Sequence, residues 1–359
     1  MNRHPRLTRL SLREFRCFSK LEYEPGSRLS FLTGPNARGK TSILEAACVL
    51  LRLRSPRTSE TREMVRFGAE AFALEGMLGE TRLSIACTPP SRLLKVDGVV
   101  QAKTSDYLGQ GRIVWFGSDD LLLVNGPAER RRKLLDSAGL QLAGDGMPVA
   151  LSYARDLKTY ERALRSRNLL LREGRPRPQI EAYDIPLSES GDRLLAAREA
   201  LVSALAPLAA AACGGISGES LELSYQPGSS RPMKEALMAS RSEEIRLRQT
   251  RVGPQRDDVD LLLNGIPAGS FASEGQRRTV ALALKLGIAA LLAEVNKTPP
   301  LLLLDDIFGE LDPGRRNALL AGMPAESQAI LTTADLGGIT LPPDSVVHRF
   351  TAGGLEIVG

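Results

Sequence analysis

At 359 residues, 43% hydrophobic and 25% charged, the chain has ample apolar material for a core and is too long for one compact layer, so two domains are expected. Its four cysteines (Cys17, Cys48, Cys87, Cys213) are scattered without CxxC spacing, and its only histidines are His4 and His348; a zinc site, a disulfide framework and a histidine-based catalytic centre are therefore not expected. A net charge of +5 favours a polyanionic partner, and 4% aromatic content leaves little to stack on unpaired bases, so any nucleic acid is expected to be met through phosphates and duplex shape.

The first residues alternate charge with apolar side chains, which predicts no signal peptide. The longest apolar runs, 201–213 and 280–295, are interrupted by Pro207 and Lys285 and are expected to fall short of a membrane span. Residues 7–18 alternate in the manner of a strand and lead through Pro25-Gly26 to a short apolar strand over 29–33. Directly after it comes Gly34-Pro35-Asn36-Ala37-Arg38-Gly39-Lys40-Thr41, a complete GxxxxGK[ST] loop, and then Ser42 opens an apolar helix running to about 53. The glycines let backbone N–H groups wrap a phosphate chain, and the helix N-terminus faces the anion. Lys40 is placed for the β- and γ-phosphates of ATP and the Thr41 hydroxyl for Mg²⁺.

Arg52, Arg54 and Arg57 follow that helix. Residues 58–100 read as an antiparallel meander with a hairpin at Asp97-Gly98, and 113–116 as a further strand. Pro127 starts a helix carrying Arg130, Arg131, Arg132 and Lys133, four adjacent cations that cannot all face one partner. Arg130 and Arg131, with the three arginines at 52, 54 and 57, are the candidate DNA contacts. Tyr153, Leu157, Tyr160 and Leu164 repeat at helical spacing, a second helical pattern covers about 187–212, and together they suggest a helical hairpin inserted into an α/β domain. Residues 221–225 are strand-like and 235–248 helical, and Asn264-Gly265 marks a hairpin turn.

Ser273-Glu274-Gly275-Gln276 precedes an apolar helix over 279–295. Two readings stay open: Ser273 and Gln276 as an S-x-x-Q capping box, or a serine, backbone amides and a helix dipole offered to a phosphate. Four leucines ending in Asp305-Asp306 form a buried parallel strand with paired carboxylates, in which Asp305 suits Mg²⁺ and Asp306 suits the attacking water. Residues 329–333 are the next strand; Thr332 or Thr333 stands where transporter ATPases place a histidine, and a hydroxyl satisfied by backbone is the plainer reading there.

These motifs, with Leu10 to Phe18, Gly253-Pro254, Asp257-Asp258 and Leu311-Asp312, together resemble the RecF family of bacterial recombination mediators over nearly the whole chain. The resemblance implies an ABC-type ATPase head, a P-loop α/β fold with a mixed sheet and an inserted, mainly helical lobe, divided as 1–147, 148–250 and 251–359. It implies a weak, DNA-stimulated, Mg²⁺-dependent ATPase that forms a homodimer on ATP, with Ser273, Gly275 and Gln276 of one subunit completing the other's site and Asp312 in the loop between subunits. Lys40 and Asp306 are then the catalytic residues, residues 34–42 the ATP loop, and Thr41 with Asp305 the metal pair. Its implied partners are double-stranded and gapped DNA, RecR and RecO, with RecA loaded downstream, and its implied location is cytoplasmic and nucleoid-associated. The chain departs from the pattern at Gly117-Ser118-Asp119-Asp120, which lacks the glutamine of SMC-type heads, and at Gln255, where many relatives have histidine. The alternative weighed against it is the ATPase subunit of a membrane transporter; a third is a phosphotransferase acting on a small molecule.

Overall fold

The computed structural model describes residues 5–142, 150–337, 340–351 and 354–358. The chain divides into two compact units, one made of Met1–Asp120, Gly215–Ser217 and Ile288–Gly359, the other of Leu121–Gly214 and Gly218–Gly287. The second unit takes in more than the lobe expected at 148–250: it begins at Leu121, with the helix after Pro127, and runs through Ser273 to Gly287. The boundary expected at 147/148 lies outside the described residues.

The first unit holds two six-stranded sheets. In one, Gly354–Ile357, Ser345–Thr351, Leu29–Thr33, Ala329–Thr332, Leu301–Asp305 and Ile113–Phe116 follow in spatial order. Its pairings are parallel apart from the antiparallel hairpin at the Gly354–Ile357 edge. The central strands are buried at every position or nearly so, which is why they read as unbroken apolar runs. The other sheet is antiparallel, in the order Phe18–Tyr23, Leu7–Phe15, Phe72–Leu78, Thr81–Thr88, Ser91–Val96, Val99–Val100. Burial alternates strictly along Phe72–Leu78, as one covered face requires. The run expected as one strand over 7–18 breaks into a hairpin whose turn carries Arg16 at φ 54°. Helix Lys40–Arg52 is apolar on nearly every side and packs against strands of both sheets, where Ile43, Leu50, Leu12, Leu74, Leu303 and Ile330 share one core.

The second unit contains helices Ala128–Gly139, Ala150–Arg172, Asp184–Ser217 and Met233–Leu247, with a three-stranded sheet in the order Ile266–Pro267, Asp258–Leu263, Leu221–Gln226. Asn264 and Gly265 both take positive φ, the type I′ geometry the Asn-Gly pair predicts. Tyr153, Tyr160, Leu187, Leu194, Met233 and Leu237 form the apolar centre. Asp184–Ser217 is longer than expected at 34 residues, about 51 Å at 1.5 Å per residue. Two helical stretches, Arg177–Ser217 and Glu274–Asn296, do reach the length and apolarity of a membrane span, correcting the expectation that none would. Glu274–Asn296 is mostly buried, with Val280, Leu284 and Leu292 in the core, whereas Arg177–Ser217 buries one face through Leu187, Leu194, Leu201 and Leu205 and leaves Ile185 exposed.

His348 lies buried in the parallel sheet, its ring edge-on to Tyr23 with centroids 5.0 Å apart and its Nε2 3.1 Å from the Glu24 carbonyl. Burial lowers its pKa below the ordinary histidine value, against the opposing pull of the Glu24 carbonyl. A depressed folded-state pKa means that the unfolded chain takes up this proton first on acidification. The stability it contributes is complete above about pH 6.5 and is lost as pH falls through the lower, folded value. Thermal melts of His348→Gln are therefore expected to lose less stability than the parent between about pH 6.5 and 5; parallel melting curves across that window would rule the effect out.

Candidate nucleotide site

The phosphate loop joins strand Leu29–Thr33 to helix Lys40–Arg52. Gly39 sits at φ +94°, and a Cβ there would lie 2.4 Å from Phe18 Cζ and 2.8 Å from Cys17 Sγ, so only glycine lets the loop close. Lys40 Nζ donates to the carbonyls of Gly34 at 2.5 Å and Pro35 at 3.0 Å, which aims the ammonium into the cradle. Burial lowers the Lys40 pKa, while the carboxylates of Asp306 and Asp305 act to raise it.

The decisive contact is long-range. Parallel pairing places Leu304 beside Leu331 and Leu331 beside Phe31, so the loop strand and the aspartate strand flank Ala329–Thr332 and end at the same level. Thr41 Oγ1 thereby donates to Asp305 Oδ1 at 2.7 Å although the two residues stand 264 positions apart. Asp305 is half-buried; burial raises its pKa, and hydrogen bonds from Thr41 and Thr332 lower it. Asp306, in a left-handed conformation at φ 53°, is exposed and lines the same cleft. No group of three or more His, Cys, Asp or Glu side chains able to hold a metal occurs among the described residues. The donor set of one carboxylate and one hydroxyl beside a phosphate cradle instead suits Mg²⁺, which takes one or two protein oxygens and fills the rest of its shell from phosphate and water.

The cleft of about 1020 Å³ is lined by Asn36 to Ser42, Asp306 and Thr332, and by a rim that motif reading missed: Arg16, Arg62, Arg66 and Phe67. Phe67 is 99% exposed. Arg16 lies within the Leu10 to Phe18 motif, which assigns it no role, Arg62, Arg66 and Phe67 have no motif of their own, and the Phe15–Val65 bridge ties their segment to the Arg16 turn. Buried Glu45, on the first helix, holds Arg16 by two bonds of 2.8 and 2.6 Å, accepts Ser55 Oγ at 2.5 Å and pairs with Arg57 at 3.4 Å. Arg57, expected on DNA, is exposed and also lines the nucleotide cleft.

Two further DNA candidates are engaged within the fold. Arg52 is half-buried, and burial pulls the pKa of its guanidinium down to about 10. Arg131 binds Asp258 through Nε at 2.6 Å and a terminal nitrogen at 2.9 Å, and donates to the Leu123 and Gly126 carbonyls, so four of its five donors are committed. Arg54 and Arg130 are exposed. Arg132 donates to the Asp257 carbonyl and Lys133 pairs with Glu129.

At the second motif the capping box is formed: Ser273 N–H donates to Gln276 Oε1 at 2.8 Å and Gln276 N–H to Ser273 Oγ at 3.3 Å. Ser273 is exposed, Gly275 half-buried, and Gln276 Nε2 also donates to Glu219 at 2.6 Å. Asp312 caps helix Pro313–Gly322 by accepting from Arg315 N–H at 3.0 Å. Asp120 accepts from Gly117 N–H at 2.9 Å, closing its own turn. Gln255 accepts from the Tyr160 hydroxyl and donates to Val252 O, which makes it part of the helical core.

Comparison with known proteins agrees with this geometry. Residues 9–113 match the AAA domain family model. The DNA replication and repair protein RecF of Synechococcus sp. (strain JA-2-3B'a(2-13)) is 38% identical, with 92% of each chain covered. That of Thermosynechococcus vestitus is 37% identical over 98% of this chain and 97% of its own. The chain belongs to the RecF family. Among solved structures, the recombination mediator protein RecF-ATPrS in the RecFOR pathway superposes on this RecF-family chain with a TM-score of 0.87 at 27% identity, covering 99% of both. An Smc head bound to the C-winged helix domain of ScpA matches at TM-score 0.58 and 15% identity over 99% of this chain and 97% of its own, a likeness of fold alone. The ATPase-head α/β architecture is thus established for this member of the family.

If Arg131 is a structural pair and not a DNA contact, Arg131→Ala leaves a partly buried Asp258 carboxylate alone. Denaturant unfolding is expected to lose about 2 kcal/mol, less than a fully buried pair because Asp258 is partly solvated. A variant as stable as the parent but weakened on DNA would return Arg131 to the DNA surface.

Proposed function

We propose that this RecF-family chain is an ATP-dependent, DNA-binding recombination mediator. ATP bound at residues 34–42 of one subunit is capped by Ser273, Gly275 and Gln276 of a second, and the dimer grips duplex DNA near single-strand gaps. In the cell it helps RecR and RecO load RecA during recombinational repair and replication restart, in the cytoplasm at the nucleoid. The observation that carries the reading is the Thr41–Asp305 contact at the mouth of the Lys40 loop, in a chain related over nine-tenths of its length to RecF proteins. Solved RecF structures with ATP and ATPrS in the RecFOR pathway support the choice of nucleotide and pathway.

The chemistry follows from the residues. Lys40 and the loop amides balance the triphosphate charge. Thr41 and Asp305 would hold Mg²⁺, which when bound would supply neutralisation of the phosphate charge. Asp306 orients a water and accepts its proton as the water oxygen bonds to the γ-phosphorus and the bond to the ADP oxygen breaks. A short aspartate in this role reaches water less well than the glutamate of many ABC ATPases, so a slow turnover is expected; stimulation by DNA is part of the same proposal. Exposed Arg54, Arg57 and Arg130 are the leading candidate phosphate contacts. The transporter-subunit alternative gives way because whole-length relatives are DNA replication and repair proteins.

Sedimentation with a non-hydrolysable ATP analogue tests the proposal. The parent is expected to pass from monomer to dimer on adding nucleotide. Ser273→Arg is expected to bind nucleotide normally and stay monomeric, because the larger side chain enters the shared interface. A parent that remains a monomer contradicts the composite site, and a Ser273→Arg chain that still dimerises reduces Ser273 to a helix cap.

A further inference from the structure

Strand Ala329–Thr332 runs between the loop strand and the aspartate strand, and Thr332 is its last residue. Its side chain is 1% exposed, yet it lines the nucleotide cleft. The hydroxyl is used at both ends. It accepts from the backbone N–H of Asp306 at 2.8 Å and donates to Asp305 Oδ1 at 2.9 Å. Asp305 Oδ1 is also the oxygen that receives the Thr41 hydroxyl at 2.7 Å. Neighbouring Thr333 has no part in this: its hydroxyl donates to the Asp335 carbonyl and receives Asp335 N–H, which makes an ordinary local turn.

We infer that Thr332 is a positioning residue for ATP hydrolysis, a hydroxyl strut that fixes the metal-side carboxylate of Asp305 and the backbone pose of Asp306 in one arrangement. The inference rests on the hydrolysis reading above and assigns Thr332 no contact with the nucleotide.

Three physical facts drive it. Asp306 occupies the left-handed region, φ 53° and ψ 24°, which an L-residue enters only at a cost and keeps only when its surroundings hold it there. The bond from Asp306 N–H to Thr332 is such a hold, and it turns the chain so that Asp306 faces the cleft while Asp305 faces Thr41. A threonine hydroxyl has one proton to give and lone pairs to receive. With the Asp306 amide on the lone-pair side, the proton goes to Asp305, so one rigid group sets the Asp305 carboxylate and the Asp306 backbone together. Finally, a β-branched side chain at a buried strand end has restricted χ1 freedom, so the strut is built before nucleotide arrives.

Valine has nearly the same shape, fills the same space and lacks the hydroxyl, so Thr332→Val isolates the two bonds. Losing hydrogen bonds to a charged group and to a buried amide is expected to lower kcat by about tenfold or more, while the nucleotide Kd, set mainly by Lys40 and the loop, stays within about threefold. Thr332→Ser keeps the hydroxyl and is expected to restore most of kcat, which a merely packing role of the methyl group would not do. Hydrogen exchange gives a readout independent of turnover: in nucleotide-free protein the Asp306 amide should exchange measurably faster in Thr332→Val than in the parent or Thr332→Ser. A Thr332→Val protein with parental kcat, or with unchanged exchange at Asp306, overturns the inference. A parent protein that hydrolyses no ATP instead defeats the hydrolysis reading, and the exchange comparison alone then decides whether Thr332 holds Asp306 in place.

Discussion

The site depends on one constraint, that strands distant in sequence end level with one another. A phosphate loop alone is an anion trap; it becomes a site for a metal–nucleotide complex only when a carboxylate reaches the hydroxyl that follows its lysine. Here that requires Leu301–Asp305 to pair in parallel register with Ala329–Thr332, and Ala329–Thr332 with Leu29–Thr33. A one-residue slip would turn Asp305 to the opposite face of the sheet, because side chains alternate with a period of two. The apolar helix Lys40–Arg52 locks the register from behind, packing on both sheets with the catalytic end of the loop strand fixed at its N-terminus.

The second unit solves a different problem. It buries charges deliberately, in two knots. In one, Arg198 contacts Asp257 and Asp136 at 2.7 Å each and donates to the Pro254 carbonyl, while the Tyr225 hydroxyl donates to Asp257. Burial works against the Arg198 charge, but Tyr153, Asp136 and Asp257 together raise its pKa well above the ordinary value. In the other, Arg167 joins Asp184 at 3.0 Å and Glu244 at 2.7 Å and donates to Thr250. Such pairs add little net stability over an apolar core, but breaking one strands an uncompensated charge, so they define a single packing. Both knots grip the segment Thr250–Asp257, whose Gly253 at φ +122° leaves no room for a Cβ beside the Tyr160 hydroxyl.

How legible all this was in the sequence varied with the kind of signal. The phosphate loop, the Leu301–Asp305 strand and the Asn264-Gly265 hairpin were readable because each rests on local chemistry: positive φ, an unbroken apolar run, or a fixed turn type. The S-x-x-Q pattern at Ser273 left a cap and a phosphate-binding helix start both open, and the cap is the bond observed. Charge was least legible. Arginines at 52, 57 and 131 look alike on the page, yet one is half-buried at a helix end, one pairs with Glu45 at the nucleotide cleft, and one is clamped by Asp258. Their partners lie across the fold, and nothing local in the sequence announces them. The cleft rim at Arg16, Arg62, Arg66 and Phe67 escaped for the same reason; Thr332 was noted beside Thr333, but its bonds to Asp305 and to the Asp306 amide at the end of the neighbouring strand were not legible.

The account stands on Thr41 and Asp305 serving the same ion. Calorimetric titration of an ATP analogue with and without Mg²⁺, on the parent, Thr41→Ala, Asp305→Asn and the double variant, measures this most directly. If the two residues share the metal, each single variant loses most of the Mg²⁺-dependent gain in affinity and the double variant loses little more, a coupling of about 1 kcal/mol or greater. Additive losses, or a full Mg²⁺ effect surviving in Asp305→Asn, would show that the contact joining the two strands is not the metal site.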